Sequence, residues 1–108
     1  MVFSCTCTCP GDWAAGYGGT SFAAPLWAAF TALVNQQRQL NHLGRLGFPN
    51  PALYRIGKSR SYKRDFHDIK DGSTNGYYPA VRGYDLATGW GSYNAAHLIQ
   101  SLSAQRRP

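Results

Sequence analysis

The stretch from Ser21 to Leu40 limits what this chain can fold into more than any other. Ala23, Ala24, Ala28, Ala29 and Ala32 recur among Leu26, Trp27, Phe30, Leu33 and Val34. Alanine and leucine are strong helix formers, and the pattern predicts a helix over 21–40. Pro25 is the one breaker, early enough for a first turn to tolerate. Gly18-Gly19 ahead of it predicts a tight turn, and Thr20 or Ser21 can cap the helix. Small side chains on several faces let other backbone pack close. The helix is therefore expected to be buried on most sides. Its polar last turns, Asn35 to Asn41, are expected to reach solvent.

The rest of the chain is shorter pieces. Gly44 to Pro51 reads as a loop, Ala52 to Ile56 as a short helical turn and Gly57 to Lys63 as a basic surface loop. Asp65 to Ile69 reads as extended, and Asp71 to Gly76 as a polar turn. Thr88 to Ser92 is a Gly-rich turn around Trp90. Asn94 to Leu102 fits a final amphipathic helix with Leu98, Ile99 and Leu102 inward. We divide the chain into an unassigned segment 1–12, one unit over 13–104 and a tail 105–108. There is no internal repeat. The length, 108 residues with 44% apolar, suits one domain with a modest core. No apolar run approaches the ~20 residues of a membrane span, so no membrane partner is expected. Residues 1–12 lack the basic and apolar regions of a signal peptide.

The net charge is +6, and Arg55, Lys58, Arg60, Lys63 and Arg64 cluster in one stretch. With Tyr54 and Tyr62 nearby, this admits binding to nucleic acid or an anionic surface. No nucleic-acid motif accompanies the cluster, so a solvated loop is the plainer reading and no nucleic-acid partner is expected. Cys5, Cys7 and Cys9 are spaced too closely for a paired zinc site and lack a second pair. All five acids are aspartates: Asp12, Asp65, Asp68, Asp71 and Asp85; there is no glutamate. Asp65 and Asp71 are expected to be solvated, and His42, His67 and His97 to lie at the surface or at helix ends.

Ser21 is the nucleophile candidate. Glycines before it let a substrate backbone approach, and a helix start offers free N–H groups to developing negative charge. From the residues alone, a plain cap is the commoner role for such a serine. The nucleophile elbow G-x-S-x-G is incomplete, because position 23 is Ala. Asp68 and Asp85, seventeen residues apart in turn-rich sequence, admit two readings. They are either turn residues bonding local backbone or part of an oxygen-rich calcium site.

Several segments together resemble one family. Gly18-Gly19-Thr20-Ser21-Phe22-Ala23-Ala24-Pro25 is similar to the serine motif of the sedolisins, serine-carboxyl peptidases with a subtilisin-like fold. Leu46-Gly47-Phe48-Pro49-Asn50-Pro51-Ala52-Leu53-Tyr54 resembles a further segment of that family. Phe66-His67-Asp68-Ile69 and Gly83-Tyr84-Asp85-Leu86-Ala87-Thr88-Gly89-Trp90-Gly91 resemble the two halves of its calcium site.

The resemblance implies an α/β chain, the C-terminal fragment of a subtilisin-like fold, with a mostly parallel sheet flanked by helices. It implies Ser21 as acyl-enzyme nucleophile, a peptide or protein substrate and an extracellular location. It further implies one Ca2+ held by the carboxylates of Asp68 and Asp85 and the carbonyls of Ile69, Val81 and Gly83. Val81 stands where glycine is usual, so its backbone must suit a β-branched residue. The family's base is a glutamate oriented by an aspartate, with a further aspartate at the oxyanion site. A carboxylate base suits acid, where histidine would already be protonated. With no glutamate present, this chain is expected to be an incomplete and inactive fragment, poorly stable alone and prone to aggregate. Its oligomeric state is not legible in the sequence.

Overall fold

The structure, a computed structural model, describes residues 18–104 together with two short strands, Val2–Phe3 (β1) and Trp13–Ala14 (β2), which pair antiparallel. Cys5, Cys7, Cys9, Asp12 and the tail 105–108 lie outside the described residues.

Helix α1 runs Thr20–Leu40. Gly19, at φ 127°, turns the chain into it, a conformation that favours glycine. Gly19 is the N-cap and no described side chain caps the helix, so neither Thr20 nor Ser21 serves as the expected cap. Pro25 is the sixth helical residue rather than part of the first turn. Lacking an N–H, it leaves the Ser21 carbonyl without its i+4 donor.

The second helix, α2, spans Asn50–Gly57, longer than the predicted turn, with Pro51 in its first turn where the missing N–H costs nothing. The supposed basic loop ends in one helical turn, α3, Tyr62–Asp65. Strand β3, Phe66–His67, pairs antiparallel with β4, Ser92–Tyr93. The last helix, α4, is Ala95–Ala104.

These elements share one small core. Phe30 and Val34 of α1 meet Ile56, Phe66, Leu98 and Leu102. Leu98 and Leu102 are inward as predicted, with Ile99 partly covered. Trp27 and Phe30 of α1 stack on Tyr93 with ring centroids 4.5 and 4.7 Å away. The fold is thus a mixture of helices and short strands. The strand pairs among the described residues are antiparallel, and the expected parallel sheet is not among them.

One expectation about α1 is corrected. Arg38, in the supposedly solvated last turns, is buried. It donates from Nη1 to the Leu102 carbonyl at 2.6 Å and from Nε to the Gly44 carbonyl at 2.7 Å. Carbonyls near the end of α4 have no helical donor, and a buried cation there satisfies one and meets the helix's negative end.

Helix α1 is open along one side, the apolar surface expected of a helix suited to burial but without a sheet against it. Phe22, Leu26, Leu33 and Leu40 are 38%, 62%, 53% and 67% exposed. Steps of four and seven residues place them on one face of a helix. The packed face, with Trp27, Phe30, Val34 and Arg38, lies to the side of that stripe.

Candidate functional site

Ser21 sits in the first turn of α1 and is exposed. Its Oγ makes no hydrogen bond to any described residue, and no described Asp or His is bonded to it. The first helical amides are oriented by the glycine turn. Phe22 and Ala23 donate to the Gly19 carbonyl at 3.1 and 3.2 Å. Ahead of them, the amides of Thr20 and Ser21 have no acceptor among the described residues. A hydroxyl beside unpaired amides at the positive end of a 21-residue helix can support an oxyanion. No base bonded to it occurs among the described residues.

Asp68 and Asp85 form a second cluster, held together by the segment 81–85. Gly83 donates its N–H to both oxygens of Asp68, at 3.0 and 3.1 Å. Val81 donates to Asp85 Oδ2 at 3.0 Å. Gly83 has φ 85°, so glycine is needed there. Val81 is not among the residues with positive φ, so valine is unstrained at that position.

Asp85 is 6% exposed and works locally. Its Oδ1 accepts from the amides of Ala87 and Thr88, at 2.9 and 2.6 Å, and the Thr88 hydroxyl reaches both oxygens. Hydrogen bonds from the Thr88, Val81 and Ala87 amides and the Thr88 hydroxyl hold its carboxyl below the ordinary range. The turn-residue reading of Asp85 is therefore what the geometry displays.

Asp68 Oδ1 also accepts from the Tyr62 hydroxyl at 2.8 Å. Burial pushes Tyr62 up to about 12, helped by its bond to Asp68 and by the charges of Asp68 and Asp85. Tyr62 packs against Trp90, 5.4 Å between centroids, and donates to the Trp90 carbonyl. Trp90 is the hub of the loops, with Tyr84 at 5.0 Å and Tyr54 at 5.8 Å.

The donor set suits a hard cation in kind, being oxygen throughout. A carboxylate offers about four acceptor sites, so Asp68, with two donors, has capacity left. Asp85, with three amides and a hydroxyl on it, would have to exchange one of them for a metal. Lys63, Lys70 and Arg82 line the groove beside Asp68, a charge that works against a cation. No group of three or more His, Cys, Asp or Glu side chains occurs among the described residues. The Ile69 carbonyl makes no described hydrogen bond.

Sequence reasoning missed three residues. Tyr62 gave no signal, because a partner six residues before Asp68 fits no local motif. Thr88 was findable, since Asp-x-x-Thr is a common side-chain-to-backbone turn. Asp65 was expected in solvent and is fully buried, paired with Arg64 Nε at 2.8 Å. Its backbone carbonyl accepts from Asn94 at the start of α4, which fixes it inside. Asp71 is exposed and accepts from Ser73 as a turn residue. His42 and His67 are exposed, as expected. His97 is half-buried, with Nδ1 3.2 Å from the Arg64 carbonyl.

An exposed serine after a glycine turn, opening a long helix, does not by itself define a class. Comparison with known proteins makes the class specific. The chain is 38% identical over 97 residues to a tripeptidyl-peptidase of Arthroderma otae, covering 73% of the chain and 15% of that protein. It is 38% identical over 91 residues to kumamolisin of a Bacillus species, covering 79% and 15%. It is 38% identical over 85 residues to sedolisin of a Pseudomonas species, covering 75% and 13%. No family model matches, and no solved structure matches. The chain belongs to the sedolisin family. It spans about a seventh of the length of these relatives.

Proposed function

We propose that this chain is the serine-bearing part of a secreted serine-carboxyl endopeptidase, with Ser21 the acyl-enzyme nucleophile. The observation carrying this reading is the placement of Ser21 beside unpaired amides at the start of α1. The mostly parallel sheet belongs to the rest of such a domain. The apolar stripe of Phe22, Leu26, Leu33 and Leu40 on the helix that bears Ser21 supports a larger packed body around it.

The base is a glutamate outside these 108 residues, since the chain has none. The chain alone is then inactive. The test incubates the purified chain with a peptide substrate in acid, alone and with the glutamate-bearing portion of kumamolisin. No hydrolysis is expected alone. Hydrolysis on mixing, absent with Ser21→Ala, supports the reading. Hydrolysis by the chain alone, or rescue that survives Ser21→Ala, refutes it.

Calcium is part of the same reading. Asp68, Asp85 and the carbonyls of Ile69, Val81 and Gly83 would hold one Ca2+, whose role is to stabilise the loops. The support is that one five-residue segment already ties both carboxylates together. Thr88 is the ligand of Asp85 easiest to release, because its hydroxyl rotates while the amides are fixed. Binding of Ca2+ should raise the melting temperature, and Asp68→Asn should remove the rise. An equal response to Mg2+, or none to either, counts against the site.

A further inference from the structure

We infer that the cleft between the end of α2 and the outer face of α4 is a binding site for a tetrahedral oxyanion, a phosphate or sulfate group. The cleft is about 240 Å³ and is lined by Arg55, Ile56, Ser59, Ser61 and Ser101. Its donors come from separate elements. Arg55 projects from α2 and makes no ion pair or hydrogen bond with any described residue. Ser61 offers a hydroxyl that likewise has no side-chain partner. Ser101 of α4 accepts from Arg64 Nη2 at 2.7 Å, which leaves its own proton free to donate. Arg64 uses Nε on Asp65 and keeps Nη1 available.

The charge around the cleft has one sign. Lys58, Arg60 and Lys63, adjacent in sequence to its lining residues, are exposed. The one acid between positions 55 and 65 is Asp65, fully buried and already paired with Arg64. The negative end of α2 is muted, because the Ile56 carbonyl accepts from both the Ser59 amide and the Ser59 hydroxyl at 2.9 and 2.8 Å. The Arg55 guanidinium and the hydroxyls of Ser61 and Ser101, from α2, the 59–61 loop and α4, line the cleft, with Arg64 bonded to Ser101, and together they suit an anion with three or more terminal oxygens. A planar carboxylate would use fewer of them.

No aromatic ring lines the cleft to stack on a base. Tyr62 is committed to Phe66 and Trp90, and Tyr54 to Tyr84 and Trp90. The structure therefore favours recognition of the anionic group over recognition of a nucleobase.

The test titrates the full chain with inorganic phosphate and with inorganic sulfate, reading amide and arginine Nε resonances. Sodium acetate and chloride at matched ionic strength are the controls. Saturable shifts at Arg55, Ser61, Arg64 and Ser101 with the tetrahedral anions alone are expected. Arg55→Gln should weaken binding tenfold or more. Arg45→Gln, the same charge change away from the cleft, should leave it within twofold. Arg55 is exposed and unpartnered, so its variant should fold normally. Equal shifts with acetate or chloride, or equal losses in the two variants, would overturn the assignment. A sulfated polysaccharide distinguishes the source. Binding at least tenfold tighter than sulfate and dependent on Arg55 assigns the group to a polymer. Binding no tighter assigns a free ion, and polymer binding indifferent to Arg55 overturns the site.

Discussion

Gly57→Ala tests whether the loops carrying Asp68 and Asp85 are braced by helix α2. A Cβ at Gly57 would lie 2.5, 2.6 and 2.8 Å from the Trp90 ring atoms Cε2, Cδ2 and Cζ2. Ordinary carbon contacts begin near 3.5 Å, so the indole must retreat by about 1 Å. It has little room, with Tyr54, Tyr62 and Tyr84 packed around it at 5.8, 5.4 and 5.0 Å. Overpacking of this kind costs about 1–3 kcal/mol. Alanine in place of glycine in a helix returns at most ~1 kcal/mol, and less at the last helical position. The net expectation is a loss of about 1–2 kcal/mol, or roughly 5–10 °C in a domain of this size. The assay is a thermal melt read by near-UV circular dichroism, which reports the aromatic cluster. Gly44→Ala is the control, because its Cβ meets nothing within 4 Å. If Gly57→Ala melts at or above the parent temperature with an unchanged aromatic signal, Trp90 is not seated against α2 and the bracing argument fails.

Three further outcomes are expected. Leu98→Ala, at a fully buried core position, should cost about 2–5 kcal/mol in urea unfolding, whereas Leu33→Ala on the exposed stripe should stay within ~0.5 kcal/mol; similar losses would mean that the stripe is covered. Tyr62 is held neutral in the fold, about 12 against an ordinary 10.0, so its contribution is complete below about pH 10 and is lost as pH rises toward 12. Tyr62→Phe should flatten the alkaline slope of stability, and an unchanged slope would deny that burial and the bond to Asp68 together hold the hydroxyl neutral. Leu26→Gln with Leu33→Gln should reduce self-association in sedimentation without lowering the melting temperature, since both side chains are more than half exposed.

What the sequence determined by itself was local and periodic. The alanine-rich run determined α1, and the spacing of Leu98, Ile99 and Leu102 determined the inner face of α4, because both depend on neighbours within one or two turns. The motif around Ser21 and the paired aspartate loops pointed to the sedolisin family, because short motifs keep their spacing whatever surrounds them. The missing glutamate was equally plain from the residues alone.

Tertiary structure decided what depends on contacts between distant segments. Arg38 reads as a surface residue, yet it is buried because the Gly44 and Leu102 carbonyls, 6 and 64 residues away, converge on it. Asp65 reads as solvated, yet its place between Arg64 and the start of α4 puts it inside. Small side chains on α1 show that close packing is possible, not which faces receive it. Only the three-dimensional arrangement shows Phe22, Leu26, Leu33 and Leu40 left open. Ser21 itself divides the same way. Sequence places it at a helix start after two glycines, and the tertiary structure shows, among the described residues, no acceptor for the Thr20 and Ser21 amides and no acid or histidine bonded to the serine.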